Sequence, residues 1–305
     1  MSSIFYCVIN NKGVSKLMRR LIKRLLLAPL KIPDFFITAY SSSVGLIHQN
    51  LRYAWMDEQI NKNNHQIREI THIVGNLKPV TLKIFTPNWL CRYRAETFSS
   101  KEPETLKWID NNDGVLFDIG ANIGLYSMYH AKTKSHNVYA FEPSFFNLPL
   151  LSKNINSNDL QDKIFIITNP LSDSVQFSNF KLASIDEGGA LSAFGVDFGQ
   201  SGDEMESIFS YKTLGYTLDH MFKNEILTEL PAMIKIDVDG IEHLILAGAK
   251  ETLRNPICKT VLVEINDSFS EQAVTASKIL SECGFSLKVK DHVTGKMYNQ
   301  IWVKS

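Results

Sequence analysis

Val115-Leu116-Phe117-Asp118-Ile119-Gly120-Ala121-Asn122-Ile123-Gly124-Leu125-Tyr126 is the stretch whose reading decides the fold. An apolar run ends in an acid, crosses a turn bounded by two glycines and resumes as an apolar sequence able to continue as a helix. The order is strand, tight loop, helix. Glycine at 120 and 124 lets the backbone turn sharply, and a Cβ at either place is expected to fill space that a ligand needs. The next apolar run, Asn137-Val138-Tyr139-Ala140-Phe141, ends in Glu142-Pro143. A second acid therefore stands at a strand end roughly 20 residues on, where a ribose-binding carboxylate is expected. The dinucleotide fingerprint is not met, because its middle glycine is Asn122 and its third glycine position is Leu125. An adenosine cofactor other than NAD fits better; a plain packing turn is the competing reading.

Asp-Ile-Gly-Ala-Asn-Ile-Gly at 118–124, Phe-Glu-Pro at 141–143, Lys-Ile-Asp-Val-Asp-Gly-Ile-Glu at 235–242 and Val-Glu-Ile at 263–265 follow one another in the chain. In this order they resemble the FkbM family of S-adenosylmethionine-dependent methyltransferases. The resemblance implies a doubly wound, Rossmann-like α/β sheet, S-adenosyl-L-methionine as cofactor, and a hydroxyl of a sugar, glycan or secondary metabolite as acceptor. It further implies that Asp118 orders the loop by accepting backbone hydrogen bonds and that the backbone from Gly120 to Gly124 approaches the methionine moiety. Asn122 then donates to the methionine carboxylate and Glu142 holds the ribose. Asn169-Pro170-Leu171-Ser172-Asp173 matches the loop that closes over the adenine, which assigns Ser172 and Asp173 to the cofactor. The segment from Arg94 to Ile109 resembles the family's lead-in, a helix beside the cofactor pocket; a capped surface helix reads equally well for Arg94 and Glu104.

The totals are neutral. Lys and Arg number 32, as do Asp and Glu, so net charge gives no argument for a nucleic-acid partner. The balance is uneven along the chain, since no acid precedes Asp34 while Lys16, Arg19, Arg20, Lys23 and Arg24 all fall before it. Leu17, Met18, Leu21, Ile22, Leu25 and Leu26 lie opposite these charges on a helical wheel. Residues 16–26 thus read as a basic amphipathic helix, either lying on an anionic membrane surface or packed on its own domain. Four scattered cysteines show neither zinc nor disulfide spacing. No apolar run reaches about 18 residues and no signal-peptide pattern is present, so the expected location is cytoplasmic, with peripheral contact at the inner face of a membrane as an option.

Residues 1–78 read as a helical extension and 79–305 as the methyltransferase domain. Strands are expected at Val80–Phe85, Lys163–Thr168, Gln176–Leu182, Met233–Val238 and Thr260–Ile265. A closing antiparallel hairpin is expected from Phe285 to Val303. Ser184 to Gly215, rich in glycine, reads as a long loop facing the substrate. Ile241 to Leu253 reads as one helix, with Asp239 as its N-cap and Glu242 three residues on. Lys235 and Asp237 share one side of an otherwise apolar strand, where polar groups are costly unless partnered or functional. Asp237 is the candidate base with Lys235 beside it, and His243 is the alternative by intrinsic pKa. Asp237, Asp239, Glu242 and Glu264 offer hard oxygen ligands to a divalent metal, but metal dependence is not the favoured reading. A catalytically silent scaffold, a membrane-docked binding module and a nicotinamide oxidoreductase are the other classes considered; the last lacks its glycine pattern.

Overall fold

The structure is a computed structural model that describes residues 66–73 and 79–304. The basic segment 16–26 and most of the expected extension lie outside the described residues. In chain order the elements are β1 (Ile67–His72), β2 (Val80–Phe85), α1 (Trp89–Glu96), α2 (Pro103–Asn111), β3 (Leu116–Ile119), α3 (Leu125–Thr133) and β4 (Val138–Phe141). Next come α4 (Leu148–Ser157), β5 (Ile164–Ile167), β6 (Gln176–Leu182), β7 (Ser192–Phe194), β8 (Phe209–Gly215) and α5 (Leu218–Lys223). The chain continues with β9 (Met233–Ile236), α6 (Glu242–Ala247), α7 (Lys250–Arg254), β10 (Thr260–Asn266), α8 (Ser270–Glu282), β11 (Phe285–Thr294) and β12 (Met297–Lys304).

A seven-stranded sheet runs β11-β12-β10-β9-β3-β4-β5. Strands β10, β9, β3, β4 and β5 are mutually parallel and β12 is antiparallel to both of its neighbours. Every residue of β3, β9 and β10 is buried, which is why these strands read as continuous apolar runs rather than alternating ones. Two apolar clusters cover the sheet's faces, one including Phe117, Ile234 and Val263, the other Leu116, Met233 and Leu262. Successive residues of one strand thus feed opposite sides. The strand order changes direction between β3 and β9, so the loops after those strands open a crevice at the carboxyl edge.

Four expectations are corrected. Residues 67–72 are a strand paired antiparallel with β2, not part of a helical lead-in; their side chains are mostly exposed, so no buried periodicity announces them. Asn154 of α4 and Asn158 at its C-terminal cap hold this ribbon in place through the backbone of Phe85 and Lys83. The stretch 184–215 is not one loop, because β7 and β8 flank β6 in a three-stranded antiparallel sheet. The helix expected over 241–253 is two, broken at Gly248. Asp219 accepts hydrogen bonds from the backbone N–H groups of Glu251 and Thr252, so it caps α7 from outside and replaces the carbonyls a continuous helix would offer. Asp239 is not the cap of α6. Its φ is +64°, and it is Glu242 that reaches back to the N–H groups of Val238 and Gly240.

Candidate active site

Two cavities open at the carboxyl edge of the sheet. The first, about 630 Å³ including space open to solvent, lies between Glu142 and Asn147 on one side and Asn169, Pro170 and Leu171 on the other, walled by Phe141, Phe180, Phe194 and Ile245. The second, about 500 Å³, is lined by Arg94, Thr97, Lys101, Glu102, Tyr126 and Lys235. Gly120, Asn122 and Asp237 line both, so the loop after β3 and the end of β9 form their common border.

The glycine loop is built differently from its sequence reading. A Cβ on Gly120 would lie 1.9 Å from the carbonyl oxygen of Asp237, and one on Gly124 would lie 2.5 Å from Leu151 Cδ1. The space both glycines keep open is therefore taken by the protein itself, in the close packing of β3 on β9 and of α3 on α4. Their φ of +87° is a second reason for glycine at each position. Asp118 accepts a hydrogen bond from Ser127 Oγ at 2.5 Å, tying the strand end to the first turn of α3, while its Oδ1 is buried without a partner. Burial raises its carboxyl pKa, against the opposing charge of Lys235.

Glu142 is buried and accepts from the backbone N–H of Asn122 and of Ser144, each at 2.8 Å, one to each carboxylate oxygen. Burial pushes its carboxyl up to about 7, against these donors. Asn122 has φ +52° and donates through Nδ2 to Gly189 O at 2.7 Å, while its Oδ1 is buried with no partner. The amide thus gives a hydrogen to the protein's own backbone rather than standing wholly free for a ligand carboxylate. Ser172 and Asp173 line neither cavity. Ser172 is buried against Tyr216 through its backbone N–H, and Asp173 is turned to solvent; the wall is made two residues earlier, by Asn169 to Leu171.

At the end of β9, Lys235 Nζ stands 2.9 Å from Asp237 Oδ2, with the lysine fully buried and the aspartate half-buried. Burial alone would lower the ammonium's pKa, but the charges of Asp237, Asp118 and Glu102 outweigh it and raise it. Burial likewise works to raise the Asp237 carboxyl, but Lys235, aided by Lys101 and Arg94, holds it below its ordinary value. His243 lines neither cavity. It packs on Phe198 and Phe269 at ring distances of 6.3 and 5.6 Å, and burial lowers its pKa. Burial and the neighbouring Asp237 charge push Asp239 up to about 6, and burial together with Asp237, Glu242 and Asp239 pushes Glu264 up to about 9. Among the described residues no three His, Cys, Asp or Glu side chains are grouped to hold a metal ion.

The feature that sequence reasoning missed is a strap, 187–191. Asn88 Nδ2 and Cys91 Sγ donate to Glu187 O, Arg94 Nε to Gly188 O, and Asn122 and Asn147 to Gly189 O. Asp239 accepts from Leu191 N at 2.6 Å. The Gly188-Gly189 pair was the available signal: a Cβ on Gly188 would lie 2.9 Å from Cys91 Sγ. Among the described residues no helix is long and apolar enough to cross a membrane.

The family model described as the methyltransferase FkbM domain matches residues 118–287. Among solved structures the chain is similar to the methyltransferase FkbM from Methylobacillus flagellatus KT, at 14% identity and a TM-score of 0.43, over 63% of this chain and 43% of that one. The alignment thus spans less than half of the Methylobacillus protein. It is also similar to magnesium protoporphyrin IX methyltransferase from Synechocystis PCC 6803 with bound SAM, at 12% identity and a TM-score of 0.41, over 72% of this chain and 85% of that one. The ribosomal protein L11 methylase from Lactobacillus delbrueckii subsp. bulgaricus aligns at 10% identity and a TM-score of 0.42, over 69% of this chain and 80% of that one. No curated protein matches the sequence. Because the family model spans more than half of the chain, with the β3 loop at its start and β9 and β10 within it, this protein belongs to the FkbM methyltransferases.

Proposed function

We propose that the protein transfers the methyl group of S-adenosyl-L-methionine to a hydroxyl oxygen of a sugar, glycan or secondary metabolite. The observation that carries this reading is the shared border of the two cavities, where Asp237 stands beside Asn122 and Gly120. The residues fit the cofactor. Phe141, Leu171, Phe180 and Phe194 offer an apolar wall to a flat heterocycle, the buried Glu142 offers acceptor oxygens to a diol, and the unpartnered Asn122 Oδ1 offers one more acceptor. When bound, this cofactor supplies a methyl group made electrophilic by a positively charged sulfur. The chain's own part is alignment, exclusion of water and removal of the acceptor's proton.

Asp237 engages Lys235 through Oδ2, which leaves Oδ1 to accept a hydrogen bond from the acceptor O–H and to take its proton; the methyl–oxygen bond formed would replace the methyl–sulfur bond, with S-adenosylhomocysteine leaving. Lys235 keeps that carboxylate ionised and fixed in direction. Calorimetric titration with S-adenosylmethionine and S-adenosylhomocysteine, followed by mass spectrometry of candidate hydroxyl compounds, tests the reading. Binding of both and methylation at oxygen are expected; binding of neither, or transfer to nitrogen alone, would sink it.

Glu142→Ala is expected to weaken S-adenosylhomocysteine binding by about 10- to 150-fold, the equivalent of roughly 1.5–3 kcal/mol for hydrogen bonds to a charged group. Glu142→Gln, which keeps one acceptor oxygen, should lose less. The wild-type affinity should also depend on pH. Burial pushes the carboxyl of the free protein up to about 7, and the ionised form is the better acceptor for two ribose hydroxyls. Affinity should therefore rise between about pH 6 and about pH 8 and level off above that. A flat profile, or an unchanged dissociation constant in Glu142→Ala, would remove Glu142 from the ribose site.

A further inference from the structure

We infer that Arg94 binds the carboxylate of the cofactor's amino-acid end, making the second cavity the counterpart of the nucleoside cavity beside Glu142. This rests on the cofactor reading above and extends it to a residue that lies before the stretch matched by the family model. The cations lining the second cavity are Arg94, Lys101 and Lys235, and the anions are Glu102 and Asp237. Lys101 is paired with Glu102 at 2.8 Å and Lys235 with Asp237 at 2.9 Å. Tyr126 adds its hydroxyl to the other oxygen of Glu102 at 2.9 Å. Arg94 is the cation left over: among the described residues it forms no ion pair, and its hydrogen bond runs from Nε to Gly188 O at 2.9 Å.

That bond has a directional consequence. A guanidinium anchored through Nε keeps the flat edge formed by its two terminal nitrogens, and an edge of that shape matches a carboxylate bidentately. Arg94 acts on the Asp237 carboxyl only from beyond ion-pair distance, so its half-buried charge has no anion in direct contact, and a ligand carboxylate would supply one. The neighbouring anchor is of the same kind, since Asn122 Nδ2 donates to Gly189 O, the next carbonyl of the strap. Two successive carbonyls of one segment therefore fix a cationic donor and, through Asn122 Oδ1, an unpartnered acceptor at the border of the two cavities. An α-amino acid end, with one carboxylate and one ammonium, matches that pair of opposite needs. A nucleoside end in the first cavity reaches it across Gly120 and Asn122, which line both.

The test compares S-adenosylhomocysteine with 5′-methylthioadenosine, which has the nucleoside and sulfur but no amino-acid end. Both are titrated calorimetrically into wild type, Arg94→Met and Arg94→Lys, with thermal unfolding to show that each variant is folded. Wild type should bind S-adenosylhomocysteine more tightly. Arg94→Met should weaken that ligand by about 10- to 100-fold and leave 5′-methylthioadenosine within about twofold, with Arg94→Lys between the two because a point charge replaces a fork. Equal losses for both ligands would show that Arg94 serves only to hold the strap at Gly188, and would overturn the inference. No loss for either would overturn it too, and would point to an anionic group on the acceptor instead. Wild type binding neither ligand would overturn the cofactor reading itself, whereas wild type binding both equally well would overturn the Arg94 assignment alone.

Discussion

Asp237→Asn is expected to lower kcat by about 10²- to 10⁴-fold, the range for losing a positioned proton acceptor, while leaving the affinity for S-adenosylhomocysteine nearly unchanged. The asparagine is isosteric and keeps an oxygen for Lys235 Nζ, so the end of β9 retains its shape. What disappears is the negative charge facing the border of the two cavities. Because Lys235 holds the wild-type carboxyl below its ordinary value, Asp237 is ionised throughout the neutral range. Its titration therefore leaves no step in the rate near pH 7; any such step in kcat belongs to another group. Stability should fall as well, because Lys235 is buried and loses its nearest counter-charge. The loss should be smaller than the roughly 3–5 kcal/mol of a fully buried pair, since Asp237 is half-buried and Asp118 and Glu102 also act on the lysine. Single-turnover rates and ligand titration on the same preparation separate the two effects. Full turnover in the variant would eliminate Asp237 as the proton acceptor.

Gly120→Ala is expected to cost on the order of 3 kcal/mol or more in folding stability, at the upper end of what single substitutions do. Its added carbon would meet the carbonyl oxygen of Asp237 at 1.9 Å, which is backbone and cannot swing aside, and the position has φ +87°. Gly124→Ala has the same φ but meets the flexible end of Leu151 at 2.5 Å, so part of its clash can relax. Gly295→Ala, with φ +58° and nothing within 4 Å, isolates the backbone term at about 1 kcal/mol. Urea unfolding of the three variants should rank them in that order. A Gly120→Ala protein as stable as Gly295→Ala would show that β3 and β9 can separate at their ends without cost.

The core of the sheet is legible in the sequence because burial on both faces leaves an unmistakable mark. In β3, and in β9 with the residue that follows it, a lone acid or lysine stands out against apolar neighbours, so Asp118, Lys235 and Asp237 are conspicuous. Glu142 does so by ending such a run. Where burial is one-sided the signal fades: β6 is recognisable at Gln176–Leu182, but β8 is mostly exposed and pairs with it across a long intervening stretch, which hides β8 from any local pattern. Ser172 and Asp173 belong to a loop with no periodicity, so nothing in the sequence tells which of its residues face the cavity and which turn away. His243 lies away from both cavities for a geometric reason. Its chemistry is the same on either side of α6, and only the point at which that helix starts sends the ring toward Phe198 and Phe269. Gly120 is recognisable as necessary, but a sequence cannot say whether the missing side chain makes room for a ligand or for the neighbouring strand.

The position of β12 between β10 and β11 has a consequence for how the chain assembles. β11 precedes β12 in the chain, yet its neighbour in the seven-stranded sheet is β12, so the order of pairing cannot follow the order of synthesis. β11 and β12, separated by two residues, can pair as a local hairpin before Met297–Lys304 lies against Thr260–Asn266, a long-range contact whose closure is slow compared with hairpin formation. In pulse-labelled refolding, the amides shared by β11 and β12 should gain protection no later than those shared by β10 and β12. A chain halted before Met297 would carry two open strand edges at once, the geometry most prone to pairing with another molecule.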